Sequence, residues 1–465
     1  MSGPSLGRLA LKEARALLPT WFAAAVAMIV AELAFGRLGD LLYILGALAL
    51  GAQIVGHEYG HRTIAVLLVQ PIDRRRIYVV KLIVAAVLLA GLALVARLAL
   101  GQVSWQASLP EWPRTLLIVL PPLGALLFGP WMTMLCRSPL AGTLFSTVPA
   151  GVVFVSAQWL AYRLYEHDDA AASLLIRQIW FTAMAVMAPT AAVLGWREFV
   201  GLEAIDGGGR AIELPRLGAR LRPRRPRHHL WQSIAKEIHL QQMTLVTVAL
   251  FVAGVLWGLV QVARGVIAMD VITVITTIYL AGTALLIGAL ASAEERQLGT
   301  HELDLMLPTP AWQRWLIKVT VATTLAVLVA AALPAVLLSF APDAVNTRMF
   351  LPGAIVPVLL ITAAGMYVSS LSTSGVSAMA AAFPAIAVAY YLADRVDTVV
   401  SDFTAEPFIT TALTSAAGQA FLGVLVALLL WLGFLNHRSL ERGPGRIVPQ
   451  VAVVLVVIVL GAAVS

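Results

Sequence analysis

The chain has 465 residues, of which 60% are hydrophobic and 12% are charged, and its mean hydropathy is +0.87. No soluble domain of this size could bury so much apolar surface, so the composition predicts an integral membrane protein. The single cysteine, Cys136, excludes an internal disulfide framework and a metal site built from several cysteines.

Apolar stretches long enough to cross a bilayer, which takes about 20 residues, recur along the whole chain. A first set of predicted spans lies near 20–36, 38–56, 77–100, 115–136, 140–162 and 174–195. A second set lies near 243–262, 270–292, 317–340, 352–371, 375–393 and 408–435, and one more lies near 447–464. The predicted fold is all-α: a polytopic membrane protein with two repeated six-helix halves and one extra C-terminal span.

Each half opens with a short amphipathic segment. Residues 5–18 place Leu6, Leu9 and Leu17 at helical spacing among basic residues, and residues 230–242 repeat the pattern before the seventh span. Both segments carry a Lys-Glu pair, Lys12-Glu13 and Lys236-Glu237. We predict that each is a helix on the inner membrane surface.

The strongest sign of an internal repeat is the stretch 57–81, HEYGHRTIAVLLVQPIDRRRIYVVK, which returns as 294–318, EERQLGTHELDLMLPTPAWQRWLIK. At one constant offset the two stretches match Glu58 with Glu295, Thr63 with Thr300, Pro71 with Pro308 and Lys81 with Lys318. Each contains an apolar patch too short to cross a bilayer, ended by Pro and followed by basic residues. Such a patch indicates a short helix at the cytoplasmic surface.

The repeat gives the predicted domain plan. Residues 1–200 form the first half, 201–229 a basic cytoplasmic linker, 230–440 the second half and 441–465 an extra transmembrane segment. The linker holds a glycine run, Gly207-Gly208-Gly209, but no Lys-Ser/Thr follows it, so it is not a phosphate-binding loop. No Walker-type sequence occurs in the chain. We therefore do not expect this chain to hydrolyse ATP or to hold a cofactor.

The net charge of +7 raises the question of nucleic-acid binding. Threading the spans from a cytoplasmic N-terminus puts the arginine and lysine clusters inside and the acidic loops near 166–169 and 394–406 outside, as the positive-inside rule requires. The positive charge therefore orients the protein and meets anionic lipid headgroups, and no nucleic-acid partner is expected.

The order of these features resembles the transmembrane subunits of type-2 ABC exporters. The shared features are an amphipathic entry helix, two spans, Glu-x4-Thr, a short helix, Pro, basic residues and a Lys that opens the third span. The resemblance implies a permease of the plasma membrane (the bacterial inner membrane) with a cytoplasmic N-terminus, which exports a small amphipathic substrate such as a drug, an antibiotic or a lipid. It also implies that one chain supplies two fused halves, and that a separate ABC ATP-binding subunit, a dimer, binds Mg-ATP.

In this family the short helix after the second span docks onto the ATP-binding subunit. The resemblance therefore assigns 58–76 and 295–314 as coupling segments. Their candidate residues are Glu58, Arg62, Thr63, Pro71, Arg74, Arg75, Arg76, Glu295, Thr300, Glu302, Asp304, Pro308 and Arg314. The first segment is basic and the second acidic, so we expect an asymmetric dock.

A rival interpretation uses the same residues. His57-Glu58-Tyr59-Gly60-His61 is a literal H-E-x-x-H, the helical spacing that puts two imidazoles on a zinc ion with Glu as general base. It resembles the site-2 family of intramembrane metalloproteases. The second copy has Glu294 and Leu298 at the histidine positions, and a zinc site does not account for the repeat. The prediction is that no metal binds.

A secondary transporter with two six-span repeats is the other alternative. Such proteins bury ionisable residues along their path, whereas the spans here look almost bare of charge. Glu32 and Arg97 could pair at the outer end of a cavity. The candidate path residues are Gln53, Gln158, Thr276, Thr283, Glu32 and Arg97.

Overall fold

The structure is a computed structural model, and nearly all of the residues it describes are helical. It describes residues 6–35, 38–60, 63–64, 67, 72–100, 111–136, 138–165, 169–202, 229–264, 269–297, 300–301, 306, 309–340, 347–372, 374–379, 381–382, 416–439 and 444–464. No β-strand occurs within these ranges. The chain divides into two compact units, Met1–Arg220 (unit 1) and Leu221–Ser465 (unit 2).

Unit 1 is a bundle of long helices. They are α1 (Leu6–Phe35), α2 (Leu38–Gly60), α3 (Arg74–Leu100), α4 (Glu111–Cys136), α5 (Pro139–Leu164) and α6 (Asp169–Gly201). Helix α5 follows α4 closely, and at its start the Ser138 side chain accepts a hydrogen bond from the amide of Ala141 and Pro139 opens the helix.

Helix α2 lies inside unit 1, packed against α1, α3, α4 and α5. It approaches α4 through glycines, because a Cβ on Gly51 would overlap the backbone of Ala125 and a Cβ on Gly129 would overlap Gly51. The Thr133 hydroxyl donates to the Ala52 carbonyl at 3.1 Å beside this crossing. Small residues thus let two backbones meet where larger side chains would hold them apart.

Unit 2 begins with a short helix, α7 (His229–Leu240). It continues with α8 (Gln242–Ala263), α9 (Met269–Gln297), α10 (Ala311–Ala326), a π-helical turn (Val327–Ala332), α11 (Leu333–Leu338), α12 (Thr347–Leu371), α13 (Ala416–His437) and α14 (Pro444–Val464). The Tyr279 hydroxyl donates to the carbonyl of Val329 at 2.9 Å, inside the π-helical turn. The regular hydrogen-bonding pattern of the α-helix is interrupted in a π-helical turn, and here the Val329 carbonyl accepts from a side chain of another helix.

Helices α9 and α12 make the closest crossing in unit 2. A Cβ on Gly288 would overlap the backbone of Thr362, and Gly365 lies against Gly288 from the other side. The Ser369 hydroxyl donates to the Ala289 carbonyl at 2.7 Å, next to the crossing. The α9–α12 contact therefore uses the same means as the α2–α4 contact of unit 1.

The last helix, α14, is fixed to α13 by a reciprocal amide pair. Asn436 donates to the Gln450 carbonyl oxygen at 3.0 Å, and Gln450 donates back to Asn436 at 2.9 Å. Tyr367 of α12 also donates to Gln450 at 3.3 Å. The extra C-terminal segment is thus an integral part of unit 2.

Within the described ranges, nine helices are long and apolar enough to cross a membrane. They are Leu6–Glu32, Arg74–Ala99, Ile118–Cys136, Leu174–Gly201, Gln242–Ala263, Ile275–Gln297, Ala311–Leu338, Ala354–Leu371 and Gln419–His437. The prediction of an all-α, polytopic membrane protein is confirmed. The division into six spans per half stays a prediction, as do the domain boundaries. Most of the linker 201–229 and all of 383–415 lie outside the described residues.

The two entry segments differ. In unit 1 the predicted surface helix and first span form one continuous helix, α1, with Pro19 inside it. In unit 2 the corresponding segments are separate helices, α7 and α8, with a turn at Gln241. The buried Gln241 amide donates to the Ile287 carbonyl at 3.0 Å and accepts from Thr244 at 2.8 Å, whereas α1 buries an apolar residue, Leu17, one turn after its own Lys-Glu pair.

Candidate functional site

A buried ionic cluster joins three helices of unit 1 close to the C-terminal end of α2. Lys81 of α3 is almost completely buried, and its Nζ lies 2.6 Å from Glu13 Oε2 of α1 and 3.4 Å from Glu58 Oε1 of α2. Lys12, whose side chain is half exposed, adds a contact of 3.1 Å to the same Glu58 oxygen. A buried ammonium is tolerated only when it is paired, and here two carboxylates surround it.

The cluster also holds the chain that follows α2. The amide of Thr63 donates to the Glu58 carbonyl at 2.9 Å, and the Thr63 hydroxyl donates to the Glu58 carboxylate. One turn later the Leu67 amide donates to the Thr63 carbonyl at 2.9 Å, and the Leu67 side chain is buried in the core of unit 1. The start of the first predicted coupling segment is therefore fastened by both polar and apolar contacts.

Unit 2 builds the same arrangement from the matching residues. Lys318 of α10 is buried, and its Nζ lies 2.9 Å from Glu237 of α7 and 2.7 Å from Glu295 of α9. Lys236, whose side chain is 40% exposed, lies 2.5 Å from Glu295. Lys318 also donates to the Ala291 carbonyl at 3.1 Å, which uses a further ammonium proton.

The chain after α9 is held as the chain after α2 is. The Thr300 amide donates to the Glu295 carbonyl at 2.9 Å, the distance found between Thr63 and Glu58. The Thr300 hydroxyl donates to that carbonyl at 3.2 Å instead of to the carboxylate. Each unit thus contains a buried lysine between two glutamates, with a threonine bonded to the second glutamate.

The matching glutamates Glu58 and Glu295 are both held as carboxylates, because neighbouring charges and hydrogen bonds keep the pKa of each below its usual range. Burial alone would raise the pKa of Glu58, but hydrogen bonds from His57 and Thr63 and the charges of Lys81 and His57 hold it well below its usual range. In unit 2, burial raises the pKa of Glu237, the charge of Lys318 offsets this only in part, and the negative charge of Glu295 adds to the rise. Glu237 of α7 therefore ionises less readily than Glu58.

The unit 1 cluster contains the only group of possible metal ligands found among the described residues. Ligand atoms of Glu13, His57 and Glu58 lie within 4.8 Å of one another. The Lys81 ammonium already lies 2.6 Å from Glu13 and 3.4 Å from Glu58, so it supplies the positive charge that a metal ion would bring. This donor set fits an ammonium and does not fit zinc, and His61, the other histidine of the H-E-x-x-H spacing, lies outside the described residues.

The predicted coupling residues fall into two classes. Glu58 and Glu295 are fully buried and hold the segments from inside, and their part in coupling to another protein stays a prediction. Arg74 donates to the carbonyls of Val200 and Leu202 at 3.1 and 2.6 Å, and so secures the end of α6. Arg75, Arg76 and Thr300 are exposed, and Arg314 is half-buried. Arg62, Pro71, Glu302, Asp304 and Pro308 lie outside the described residues.

The predicted path residues divide similarly. Gln53, Thr276 and Thr283 are buried, and the Gln158 side chain is outside the described part of the structure. Glu32 is buried too, but Arg97 is exposed, so the pair predicted between them is not formed. The charge that acts on Glu32 is that of Asp40, and neither Glu32 oxygen has a hydrogen-bond partner within the described ranges.

The expectation that the spans are almost bare of charge is also wrong. Lys81 and Lys318 lie inside the predicted spans 77–100 and 317–340, and they turn inward, where glutamates neutralise them. The sequence did contain a signal for this, since the Lys-Glu pairs precede both halves and Lys81 matches Lys318. The sequence did not show that the Lys-Glu pairs and these lysines lie close together in the folded protein. The cluster residues to which sequence analysis gave no site role are Lys12, Glu13, Lys81, Lys236, Glu237 and Lys318.

No family model, curated protein or solved structure matches this chain. The functional argument therefore starts from the two clusters and the segments that they hold.

Proposed function

We propose that the chain is the transmembrane permease subunit of an ATP-driven exporter of the type-2 ABC class, driven by a separate ATP-binding subunit. The observation that carries this proposal is the presence, in both units, of a buried Lys–Glu cluster that fastens the segment after the unit's second long helix. A permease that receives force from another protein needs such a rigid connection. Force applied to a loosely held segment would be lost in local motion.

The clusters suit this role because they join the coupling segment to several helices at once. In unit 1, Glu58 bonds to Thr63 of the segment and to Lys81 of α3, while Lys81 bonds to Glu13 of α1. Displacing the segment would therefore displace α1 and α3 as well, or else separate buried charges at a cost of several kcal/mol. Rigid-body motion of packed helices is a common means of switching access to a site.

Several exposed side chains near the segments support a docking surface. Arg75 and Arg76 are exposed at the start of α3, and Met306 and Trp312 are 81% and 56% exposed near the start of α10. Two arginines in one unit and a Met-Trp pair in the other fit the unequal docking predicted from the sequence. Aromatic residues, Met and Arg are also the residue types enriched in protein interfaces.

The parallel contacts of the two units favour a duplicated architecture. The glycine crossing, the hydroxyl beside it and the ionic cluster occur at matching positions: Gly51 and Gly288, Thr133 and Ser369, Lys81 and Lys318. We infer two permease halves, 1–200 and 230–440, with the cytoplasmic linker 201–229 between them. Residues 441–465 add a structural helix to the second half.

The setting of the proposed exporter follows from the charge pattern and the resemblance. The N-terminus is cytoplasmic in the bacterial plasma membrane, the substrate is a small amphipathic molecule, and Mg-ATP binds to the partner dimer. The chain itself is not an enzyme in this proposal.

ATP-dependent uptake of an amphipathic fluorescent dye into inverted membrane vesicles tests the proposal. The vesicles come from cells that overproduce the chain together with its ATP-binding subunit. We expect uptake that requires ATP and is lost when Lys81 and Lys318 are both replaced by Met, with the chain still present in the membrane. Uptake by liposomes that contain only the purified chain, with no nucleotide, would contradict the proposal.

Glu32 favours a secondary transporter as the second candidate. It is a buried carboxylate with no hydrogen-bond partner among the described residues, and Asp40 lies close enough to act on its charge. Buried acids of this kind occur on the ion paths of secondary transporters. Dye transport driven by a proton or sodium gradient in the same liposomes, and lost in Glu32→Gln, would establish this alternative.

A further inference from the structure

One aromatic contact recurs beside both ionic clusters, one turn before the buried lysine. In unit 1, Tyr78 of α3 stacks on Phe199 of α6, with 4.8 Å between the ring centroids. In unit 2, Trp315 of α10 faces His437, the last residue of α13, at 5.4 Å. All four side chains are buried. Each contact therefore joins the helix that carries the buried lysine to the end of a later helix of the same unit.

The contact in unit 2 extends further, because His437 also reaches the second predicted coupling segment. His301 lies edge-on to His437, with 5.3 Å between the ring centroids and 61° between the ring planes. Neither nitrogen of His437 has a hydrogen-bond partner among the described residues. Ring contacts hold this imidazole, so its position depends on where the end of α13 is fixed. The residue of unit 1 that matches His301 is Ile64, which is aliphatic.

The end of α13 is fixed by a buried amide network. Asn436 donates to the Ser370 hydroxyl of α12 at 3.2 Å and exchanges two hydrogen bonds with Gln450 of α14. Arg296 of α9 donates to the carbonyl of Ser370, so the network reaches α9 as well. Asn436, Gln450 and Ser370 are all buried, and a buried amide that loses its partner has no water to replace it. Gln450 thus helps to determine where the end of α13 lies.

We propose that the C-terminal helix α14 positions the second coupling segment. Gln450 holds Asn436 at the end of α13, and the next residue, His437, is thereby placed against His301 of the segment. Helices α13 and α14 then move with the segment after α9. The term coupling rests on the proposed function, whereas the hold of α14 on the segment does not. This hold is measured without an ATP-binding subunit, so its failure and that of the proposed exporter are distinguishable.

Hydrogen exchange of the full chain in lipid nanodiscs, followed by mass spectrometry of its peptides, tests the proposal. The Thr300 amide donates to a carbonyl of α9, so exchange in peptides that contain Thr300 and His301 reports opening of the segment. Gln450→Leu removes both hydrogen bonds of the Asn436–Gln450 pair. It should speed this exchange by roughly fivefold or more, the effect of losing a buried hydrogen bond.

The matched control is Val454→Ala, one turn further along α14. Val454 packs in the apolar core that α14 shares with α12 and α13, and its truncation leaves the Asn436–Gln450 pair in place. Exchange at Thr300 and His301 should therefore remain as in wild type. Unchanged exchange in Gln450→Leu, or equal acceleration in the two variants, would overturn the proposal.

Substitutions of His437 separate positioning from general stability, and they also serve if Gln450→Leu does not fold. His437→Phe introduces the ring that unit 1 has at Phe199 and should keep slow exchange at Thr300, whereas His437→Ala should speed it. Because Gln450 acts through His437, adding Gln450→Leu to His437→Ala should change the exchange by less than about twofold. An unchanged rate in His437→Ala, or effects of the two substitutions that multiply, would contradict the positioning role.

Discussion

Lys81 and Lys318 are buried ammonium groups, and each requires a negatively charged partner inside the protein. Each ammonium is withdrawn from water, and each has two carboxylates within hydrogen-bonding or ion-pair distance. Such a cluster adds little net stability over an apolar core of the same shape, but removing one partner leaves a buried charge with no counterion. We therefore expect the cluster to contribute specificity, because other arrangements of the contributing helices would separate the buried charges.

Replacing Lys81 with Met should destabilise unit 1 by about 3–5 kcal/mol, because Glu13 and Glu58 would lose their buried counterion while most of the side-chain length is kept. The triple variant Lys81→Met, Glu13→Gln, Glu58→Gln should recover most of this loss, since no buried charge remains in that part of the cluster. Chemical unfolding in detergent measures both. Equal destabilisation of the single and triple variants would show that packing, and not charge, controls this site.

Glu58 should also give unit 1 an acid-sensitive stability. Its pKa is held below the usual range in the folded protein, so its contribution is complete above the pKa of an unfolded glutamate, about 4.3, and is lost as pH falls through the lower folded value. The unfolding free energy of wild type should therefore fall more steeply between pH 5 and pH 3 than that of Glu58→Gln. Parallel pH profiles would mean that Glu58 is not the ionised acceptor inferred here.

At this scale the sequence identified positions better than roles. The repeat identified Glu58, Thr63 and Lys81 together with their counterparts in the second copy, because the constant offset between the two copies can be read directly from the sequence. It assigned Glu58 and Glu295 to coupling segments through a family resemblance, which does not say whether a side chain is buried. Only the three-dimensional meeting of α1, α2 and α3 shows that these charges neutralise each other inside the protein.

At the scale of the helices, the close crossing of α9 and α12 depends on glycine. Gly288 lets α9 reach the backbone of Thr362 on α12, whereas Gly282 on the same helix faces open space. Gly288→Ala should therefore destabilise unit 2 by about 1–3 kcal/mol, because the two helices must separate to admit the methyl group. Gly282→Ala should be stabilising by roughly 0.5–1 kcal/mol, the usual effect of Ala in a helix interior. Thermal unfolding of the pair decides the point, and equal effects would contradict the crossing.

The break between α7 and α8 depends on Gln241. Gln241→Leu removes the donor to the Ile287 carbonyl and introduces the residue type that α1 has at Leu17, so we expect α7 to continue straight into α8 and the protein to lose about 1–3 kcal/mol. Spin labels on Gln232→Cys and Leu256→Cys should move further apart in this variant. Thr244→Val, which removes only the second contact of Gln241, should leave their separation unchanged. An unchanged separation in both variants would show that the turn does not need the Gln241 amide.

The sequence predicted which segments are helical, but it did not predict where one helix continues into the next and where it breaks. Apolar length identifies α3, α4 and α8, since a stretch of that composition has few alternatives. The sequence did not show that α1 passes without interruption through Pro19 while the matching segment breaks at Gln241. That difference depends on whether one buried side chain finds a carbonyl on a neighbouring helix, which no local pattern encodes.

At the scale of the whole molecule, the two units share a plan and differ at their surfaces. The buried clusters use matching residues, but the exposed side chains that the structure describes near the predicted coupling segments include Arg75 and Arg76 in unit 1 and Met306 and Trp312 in unit 2. A partner that is itself symmetric would meet two unlike surfaces. We therefore expect substitutions in the two units to have unequal effects on a partner ATPase.

The double charge reversal Arg75→Glu, Arg76→Glu tests this expectation on exposed residues that take no part in the buried ionic cluster. If these arginines dock onto an acidic surface of the ATP-binding subunit, the variant should lower the affinity of that subunit for the chain at least tenfold, because each reversal replaces attraction with repulsion. The control Arg8→Glu, Arg15→Glu makes the same change in charge on the exposed side of α1 and should bind as wild type does. Affinity is measured by titrating the purified ATP-binding subunit onto nanodiscs that contain the chain, at two ionic strengths.

Raising the salt concentration should weaken wild-type binding and leave the reversed variant little changed, since screening removes only the attraction that wild type has. Equal loss of binding in both variants would mean that the chain attracts its partner through overall charge, and the docking surface would have to be sought elsewhere.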